Sequence, residues 1–195
     1  MQLLHNVFLE KLEMNPIIAA VKNDEGLERA LQTEVEIVFV LYGDVCSIPA
    51  ITERIRGAGK LSMVHMDLIS GLNNSREVSV DFIRRFTSAD GIITTKSALV
   101  SRASELGLYS VLRFFILDSM AMESIEKQTR SGGAQPDVIE ILPGVVSPRV
   151  MQRIKERIRV PLIAGGLIAD REDVMNALKG GAVAVSSTNE QVWSL

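Results

Sequence analysis

VPLIAGGLIADREDVMNALKGGAVAVSSTN, residues Val160 to Asn189, contains a strand, a helix and a second strand. A short apolar run, Pro161 to Ala164, gives way to Gly165-Gly166, where a strand has to stop. Asp170 is placed to cap a helix, and Val174, Ala177 and Leu178 give that helix an apolar stripe. Gly180-Gly181 ends it, and a second apolar run, Ala182 to Val185, leads into Ser186-Ser187-Thr188. This is a βαβ unit with small residues and hydroxyls at the C-terminal ends of both strands. In a (β/α)8 barrel the loops after the seventh and eighth strands frequently build a phosphate site. Glycine lets the backbone come close, and main-chain N–H groups and hydroxyls can then point at an anion. Gly165, Gly166, Ser186 and Ser187 are therefore expected to hold a small phosphorylated molecule. The plainer alternative is a tight turn at the glycines and a simple helix cap at Ser186 to Thr188. Two consecutive strand ends of this kind favour the anion.

Working back from this unit, the same alternation fills the chain. Apolar runs occur at Ile17 to Val21, Ile37 to Tyr42, Leu61 to Ile69, Gly91 to Thr95, Ser110 to Leu117 and Val138 to Leu142. Leu162 to Ala164 and Ala182 to Ser186 complete them. Helix-like segments lie between, most clearly Ile48 to Ala58, Val78 to Arg85, Ser97 to Leu106, Ser119 to Arg130 and Pro148 to Arg157. Runs that are apolar throughout are what parallel strands buried on both faces look like. Eight such units in 195 residues predict an α/β chain folded as one compact (β/α)8 TIM barrel, residues 1–195, near the lower size limit for that fold. Periodicity cannot show closure, so a doubly wound open sheet is the structural alternative. Met1 to Met14, with Leu3, Leu4, Val7, Phe8 and Leu12 near helical spacing, reads as a short helix closing one end.

Composition sets outer limits. With 47% hydrophobic and 23% charged residues, the chain can bury a substantial core. No apolar run approaches the ~18 residues needed to span a bilayer, and the N-terminal segment lacks a signal-peptide pattern, so a cytoplasmic protein is expected. The single cysteine, Cys46, excludes an internal disulfide and a multi-cysteine metal site. Two histidines, His5 and His65, make a histidine-built zinc site improbable. No metal and no cofactor are expected. A net charge of −3 argues against the broad basic surface of a nonspecific nucleic-acid binder, though not against a local one.

Polar residues near strand ends are the functional candidates in such a barrel. Asp67 follows His65 by two positions, Lys96 follows Thr94-Thr95, Arg113 interrupts an apolar run, and Glu140 precedes Leu142-Pro143-Gly144. A charge within so apolar a strand needs a partner. Arg113 and Glu140 lie on neighbouring strands, either as a structural ion pair or with Arg113 on a ligand phosphate and Glu140 on a ligand hydroxyl. Asp67 and Lys96 are read as ligand residues, His65 as a hydrogen-bonded core histidine and Cys46 as a packed residue. Arg149, Arg153, Lys155 and Arg157 make RVMQRIKERIR, Arg149 to Arg159, the most basic stretch; it is either a solvated helix face or a strip for an RNA backbone.

Six motifs occur in order: MVHMDLISGL (Met63 to Leu72), GIITTKS (Gly91 to Ser97), RFFILDS (Arg113 to Ser119), IEILPG (Ile139 to Gly144), PLIAGGLI (Pro161 to Ile168) and GAVAVSST (Gly181 to Thr188). Together the set resembles the glycerol uptake operon antiterminator regulatory proteins, the glycerol-3-phosphate-responsive antiterminators, from about Pro16 to Trp193. The resemblance implies a TIM barrel that binds sn-glycerol 3-phosphate as effector and acts on leader mRNA, letting transcription pass a terminator ahead of glycerol catabolism genes. By the same resemblance the phosphate pattern lands on Gly165, Gly166, Ser186 and Ser187. The strand-end polar positions land on Asp67, Lys96, Arg113 and Glu140. No catalytic residue is implied, and self-association of the chain is compatible with it. The competing class is a TIM-barrel enzyme on a small phosphorylated substrate, with Asp67, Lys96 and Glu140 as acid, base and stabiliser, or Asp44, Asp67 and Glu140 collecting a magnesium ion. A further reading is an interaction module with a vestigial site.

Overall fold

A computed structural model describes residues 7–130 and 135–195. Eight parallel strands, β1 (Ile17–Val21), β2 (Ile37–Val40), β3 (Leu61–His65), β4 (Gly91–Thr94), β5 (Tyr109–Phe115), β6 (Val138–Leu142), β7 (Leu162–Gly165) and β8 (Ala184–Ser187), each pair with the next. β8 returns to β1, with Ile18 opposite Ser186, so the sheet closes. The structure is the expected (β/α)8 TIM barrel and not an open sheet.

Closure follows from strands that are apolar on both faces. One set of alternate residues, including Ile18, Phe39, Met63, Ile93, Val111, Val138 and Ile163, fills the barrel interior. The other set, including Ala19, Val38, Val64, Ile92, Leu112, Ile139 and Val185, packs beneath the helices. Gly91 is inward on β4 because a Cβ there would lie 2.5 Å from the Met63 terminal methyl. The seven outer helices are α2 (Asp24–Leu31), α3 (Ile48–Gly57), α4 (Val78–Phe86), α5 (Ser97–Glu105), α6 (Ser119–Arg130), α7 (Pro148–Lys155) and α8 (Arg171–Lys179). After β8 the described chain forms only a short 3-10 turn, Val192–Ser194, which buries Val192 and Trp193.

An additional helix, α1 (Val7–Met14), precedes β1 and closes the N-terminal end of the barrel. Its Phe8 and Leu12 are fully buried among the interior residues, and the Phe8 ring lies 5.3 Å from that of Tyr109. Lys11 pairs with Glu36 and fixes α1 to the segment leading into β2. The expected helix from Met1 to Met14 thus begins, within the described residues, at Val7; residues 1–6, Leu3, Leu4 and His5 among them, lie outside them.

Several boundaries shift for local reasons. β2 ends at Val40 because Gly43 turns the chain with φ +105°. β3 ends at His65, not Ile69, because the Leu68 amide folds back onto the His65 carbonyl. Helix α7 stops at Lys155, not Arg157, and it presents Met151 and Ile154 to the core while Val150 is half-buried. No helix among the described residues is long and apolar enough to cross a membrane.

Candidate functional site

The C-terminal mouth of the barrel holds its charged interior. Glu140 on β6 is completely buried, which for a carboxylate requires donors at both oxygens. It has them: Arg113 Nε on β5 donates to Oε2 at 2.6 Å, and Ser186 Oγ on β8 donates to Oε1 at 2.5 Å. Strand register sets this up, because Arg113 lies directly opposite Glu140. The ion-pair reading of these two residues is what the geometry displays. The two terminal nitrogens of Arg113 nevertheless bond to nothing else among the described residues, and Arg113 lines a cavity of about 340 Å³ at the mouth.

That cavity brings together Arg113, Glu140, Gly166, Ser186 and Ser187, five of the residues singled out from sequence, with Leu41, Leu142, Leu167, Thr188 and Asn189. The reason for the glycines differs from the expected one. A Cβ on Gly165 would lie 2.3 Å from Glu140 Oε1 and 2.6 Å from Ser186 Oγ. Gly165 therefore makes room for the buried carboxylate rather than for an anion. Gly166 has φ +74° and Leu167 φ +61°, so the loop after β7 turns through two successive left-handed residues.

The serine hydroxyls are also engaged within the protein. Ser187 Oγ donates to the Ile168 carbonyl at 2.7 Å and accepts from the Asn189 amide, while Ser186 Oγ is held by Glu140. What remains for an anion is main chain: the amides of Gly166, Leu167 and Thr188 donate to no protein acceptor among the described residues. Backbone amides beside a guanidinium form an anion cradle.

Three expected ligand residues do not line this cavity: Gly165, which packs against Glu140 and Ser186, and Asp67 and Lys96. Asp67 lines a separate cleft of about 330 Å³ in the loop after β3, where Asn74 donates to its Oδ1. Its Oδ2 is buried without a partner among the described residues. Lys96 is exposed at the N-cap of α5, with no ion pair among the described residues. His65 is the hydrogen-bonded core histidine expected, whereas Cys46, expected to be packed, is exposed. The Asp67 amide donates to the His65 Nδ1 at 3.2 Å, which puts the imidazole proton on Nε2. Burial, reinforced by the nearby positive charge of Arg113, pushes its pKa down to about 4, with Asp67 pulling the other way, so the ring is neutral at pH 7. Asp44, Asp67 and Glu140 are not grouped as a three-residue metal cluster, and no other three histidine, cysteine, aspartate or glutamate side chains form one among the described residues.

On α7, Arg149 and Arg153 are exposed and unpaired among the described residues. The Lys155 stem lies over Gly181, where a Cβ would come within 2.7 Å of it, and Arg157 stands 4.0 Å from Glu126. Arg149 and Arg153 are thus free on α7, whereas Lys155 at its end packs on Gly181 and Arg157, beyond the helix, faces Glu126. Sequence patterning missed the main-chain donors, which carry no side-chain signature, and Leu142 and Leu167, which read as ordinary apolar residues.

The sequence profile of the glycerol-3-phosphate responsive antiterminators matches residues 17–193. The chain belongs to the glycerol-3-phosphate responsive antiterminator family. A relative of this chain, the uncharacterized protein YgcP of Escherichia coli (strain K12), is 44% identical over 187 residues, 96% of each chain. Among solved structures, the glycerol uptake operon antiterminator regulatory protein of Listeria monocytogenes is 31% identical, with a TM-score of 0.86 over 92% of this chain and 95% of that one. A glycerol uptake operon antiterminator-related protein of Thermotoga maritima is 33% identical, with a TM-score of 0.78 over 91% and 96%.

Proposed function

We propose that this chain is a cytoplasmic sensor that binds sn-glycerol 3-phosphate at the barrel mouth and, so loaded, acts as an antiterminator on leader mRNA of glycerol catabolism genes. One observation carries the reading: a guanidinium with two unspent nitrogens faces the same small cavity as the unspent amides of Gly166, Leu167 and Thr188. A phosphate monoester supplies the acceptors these donors need. Glu140 and Ser186 line the same cavity, where a polyol hydroxyl meets polar rather than apolar side chains. The family membership supports the choice of glycerol 3-phosphate over other phosphate esters.

For such a sensor the effector must bind one arrangement of the mouth loops better than another, and RNA must prefer the same arrangement. The turn at Gly166 and Leu167 is the element most suited to this, since its two left-handed residues carry amides with no protein acceptor among the described residues. The test is a thermal-denaturation series with sn-glycerol 3-phosphate, glycerol, inorganic phosphate and other triose phosphates. At one hundred times Kd the effector should add about 2.7 kcal/mol of stability, and glycerol none. Equal stabilisation by every phosphate ester would refute selectivity. Because linkage is reciprocal, RNA that binds the loaded protein more tightly than the unloaded one must also tighten effector binding in calorimetry.

A further inference from the structure

The lip of the mouth carries large apolar side chains that the described residues leave uncovered. Phe115, Leu117 and Met120 are 53%, 86% and 72% exposed, and Leu167 is 74% exposed. They are brought to one sector by the sheet. Phe115 is opposite Leu142, the Ile116 amide donates to the Leu142 carbonyl at 2.7 Å, and the Gly144 amide donates to the Gly166 carbonyl at 3.0 Å. The loops after β5, β6 and β7 are therefore laced together, and their apolar tips form one surface. Phe115 falls two positions beyond Arg113 on the same side of β5, which places it at the C-terminal lip of the barrel.

This surface is flanked by cations with no ion pair among the described residues. Lys96 caps α5, two residues beyond the neighbouring strand β4, on one side, and Arg149 opens α7 on the other. Asp118 is the acidic residue between them, and its Oδ1 is taken by the amides of Met120 and Ala121. An exposed aromatic and aliphatic platform between two free cations matches unpaired nucleotides, whose bases stack on apolar faces while phosphates meet the charges. An RNA duplex offers no free base face to such a platform.

Resting on the proposed function, we infer that the lip formed by Phe115, Leu117 and Met120, between Lys96 and Arg149, is the docking platform for unpaired bases of the target RNA. The effector cavity lies immediately beneath, and Leu167 belongs to both: it lines the cavity and stands exposed at the lip. A ligand that fixes the loop after β7 thereby fixes one edge of the platform, which gives the coupling a physical route.

The experiment selects an RNA from a randomised-loop hairpin pool on the wild-type protein with sn-glycerol 3-phosphate present. Binding of that RNA is then measured by filter retention for wild type, Phe115→Ala and the double variant Leu117→Ser with Met120→Ser. These residues are exposed, and the stabilisation by sn-glycerol 3-phosphate checks that each variant is folded and loaded. The expected result is a loss of about tenfold or more in RNA affinity for each variant, with protection of the loop bases lost in footprinting. Unchanged RNA affinity overturns the platform while leaving the sensor intact. Failure of the wild type to retain any RNA from the pool overturns the sensor reading and the platform with it. If the variants lose effector affinity and keep RNA affinity, the lip is a cover for the effector. If they alter only sedimentation, it is an interface between copies of the chain. Either outcome replaces the proposal.

Discussion

At Gly165 the difference between hydrogen and methyl governs the site. An alanine there sets its Cβ 2.3 Å from a Glu140 oxygen that cannot retreat, because both carboxylate oxygens are engaged by Arg113 and Ser186. Gly165→Ala is expected to cost about 2–3 kcal/mol in urea denaturation and to remove effector stabilisation, as overpacking of a filled interior does. His65 makes a second residue-scale prediction. Its folded pKa, about 4, lies below the unfolded value of 6.5. Between those values the unfolded chain takes up a proton that the folded chain refuses, so stability rises with pH. The contribution is fully present above pH 6.5 and is lost as pH falls toward 4, about 3 kcal/mol in all. His65→Gln should flatten this part of the profile relative to wild type, and an unchanged slope between pH 4.5 and 6.5 would count against the neutral ring.

Helix α1 closes the N-terminal end of the barrel as tightly as the charged cluster fills the other. Phe8→Ala, at a fully buried position inside the interior cluster, should cost about 3–5 kcal/mol by denaturant titration and leave effector selectivity unchanged. The elements were largely legible in the sequence, for a physical reason. A parallel strand covered on both faces shows itself as an unbroken apolar run, and the turns between show themselves as Gly, Pro and Asp. β1 and β6 were readable to the residue, whereas β3 was read four residues too long, because MDLI continues the apolar pattern after the backbone has turned at His65. The site was less legible. Arg113, Glu140, Gly166, Ser186 and Ser187 do converge, since alternation and strand adjacency place them. Asp67 and Lys96 do not line the same cavity, because the long loop after β3 carries Asp67 toward Asn74 and the N-cap of α5 leaves Lys96 in solvent. Main-chain donors are invisible to any reading of side chains.

For the whole molecule, the distribution of charge matters more than its sum. A net charge of −3 coexists with two free arginines, Arg149 and Arg153, on the outer face of α7. Only Arg149 opens the helix beside the lip; Arg153 is one turn further away. Arg149→Glu should therefore weaken RNA binding more than Arg153→Glu does. Each lost phosphate contact reduces the slope of log affinity against log salt by about one. Salt titration of the selected RNA with the two single variants checks both the order and the slope. Equal effects would place the RNA backbone along the helix rather than at the mouth.

The chain contains one tryptophan, and its position is unusually useful. Buried Trp193 donates its indole N–H to the Ser187 carbonyl at 2.8 Å, on the strand whose next residue, Thr188, offers an amide to the cradle. Any shift of that strand tip on loading must alter the indole's surroundings, so the protein carries its own optical reporter. Titration with sn-glycerol 3-phosphate should change the intrinsic fluorescence of Trp193 saturably, without an attached dye, and Trp193→Phe should silence the signal while calorimetry still registers binding.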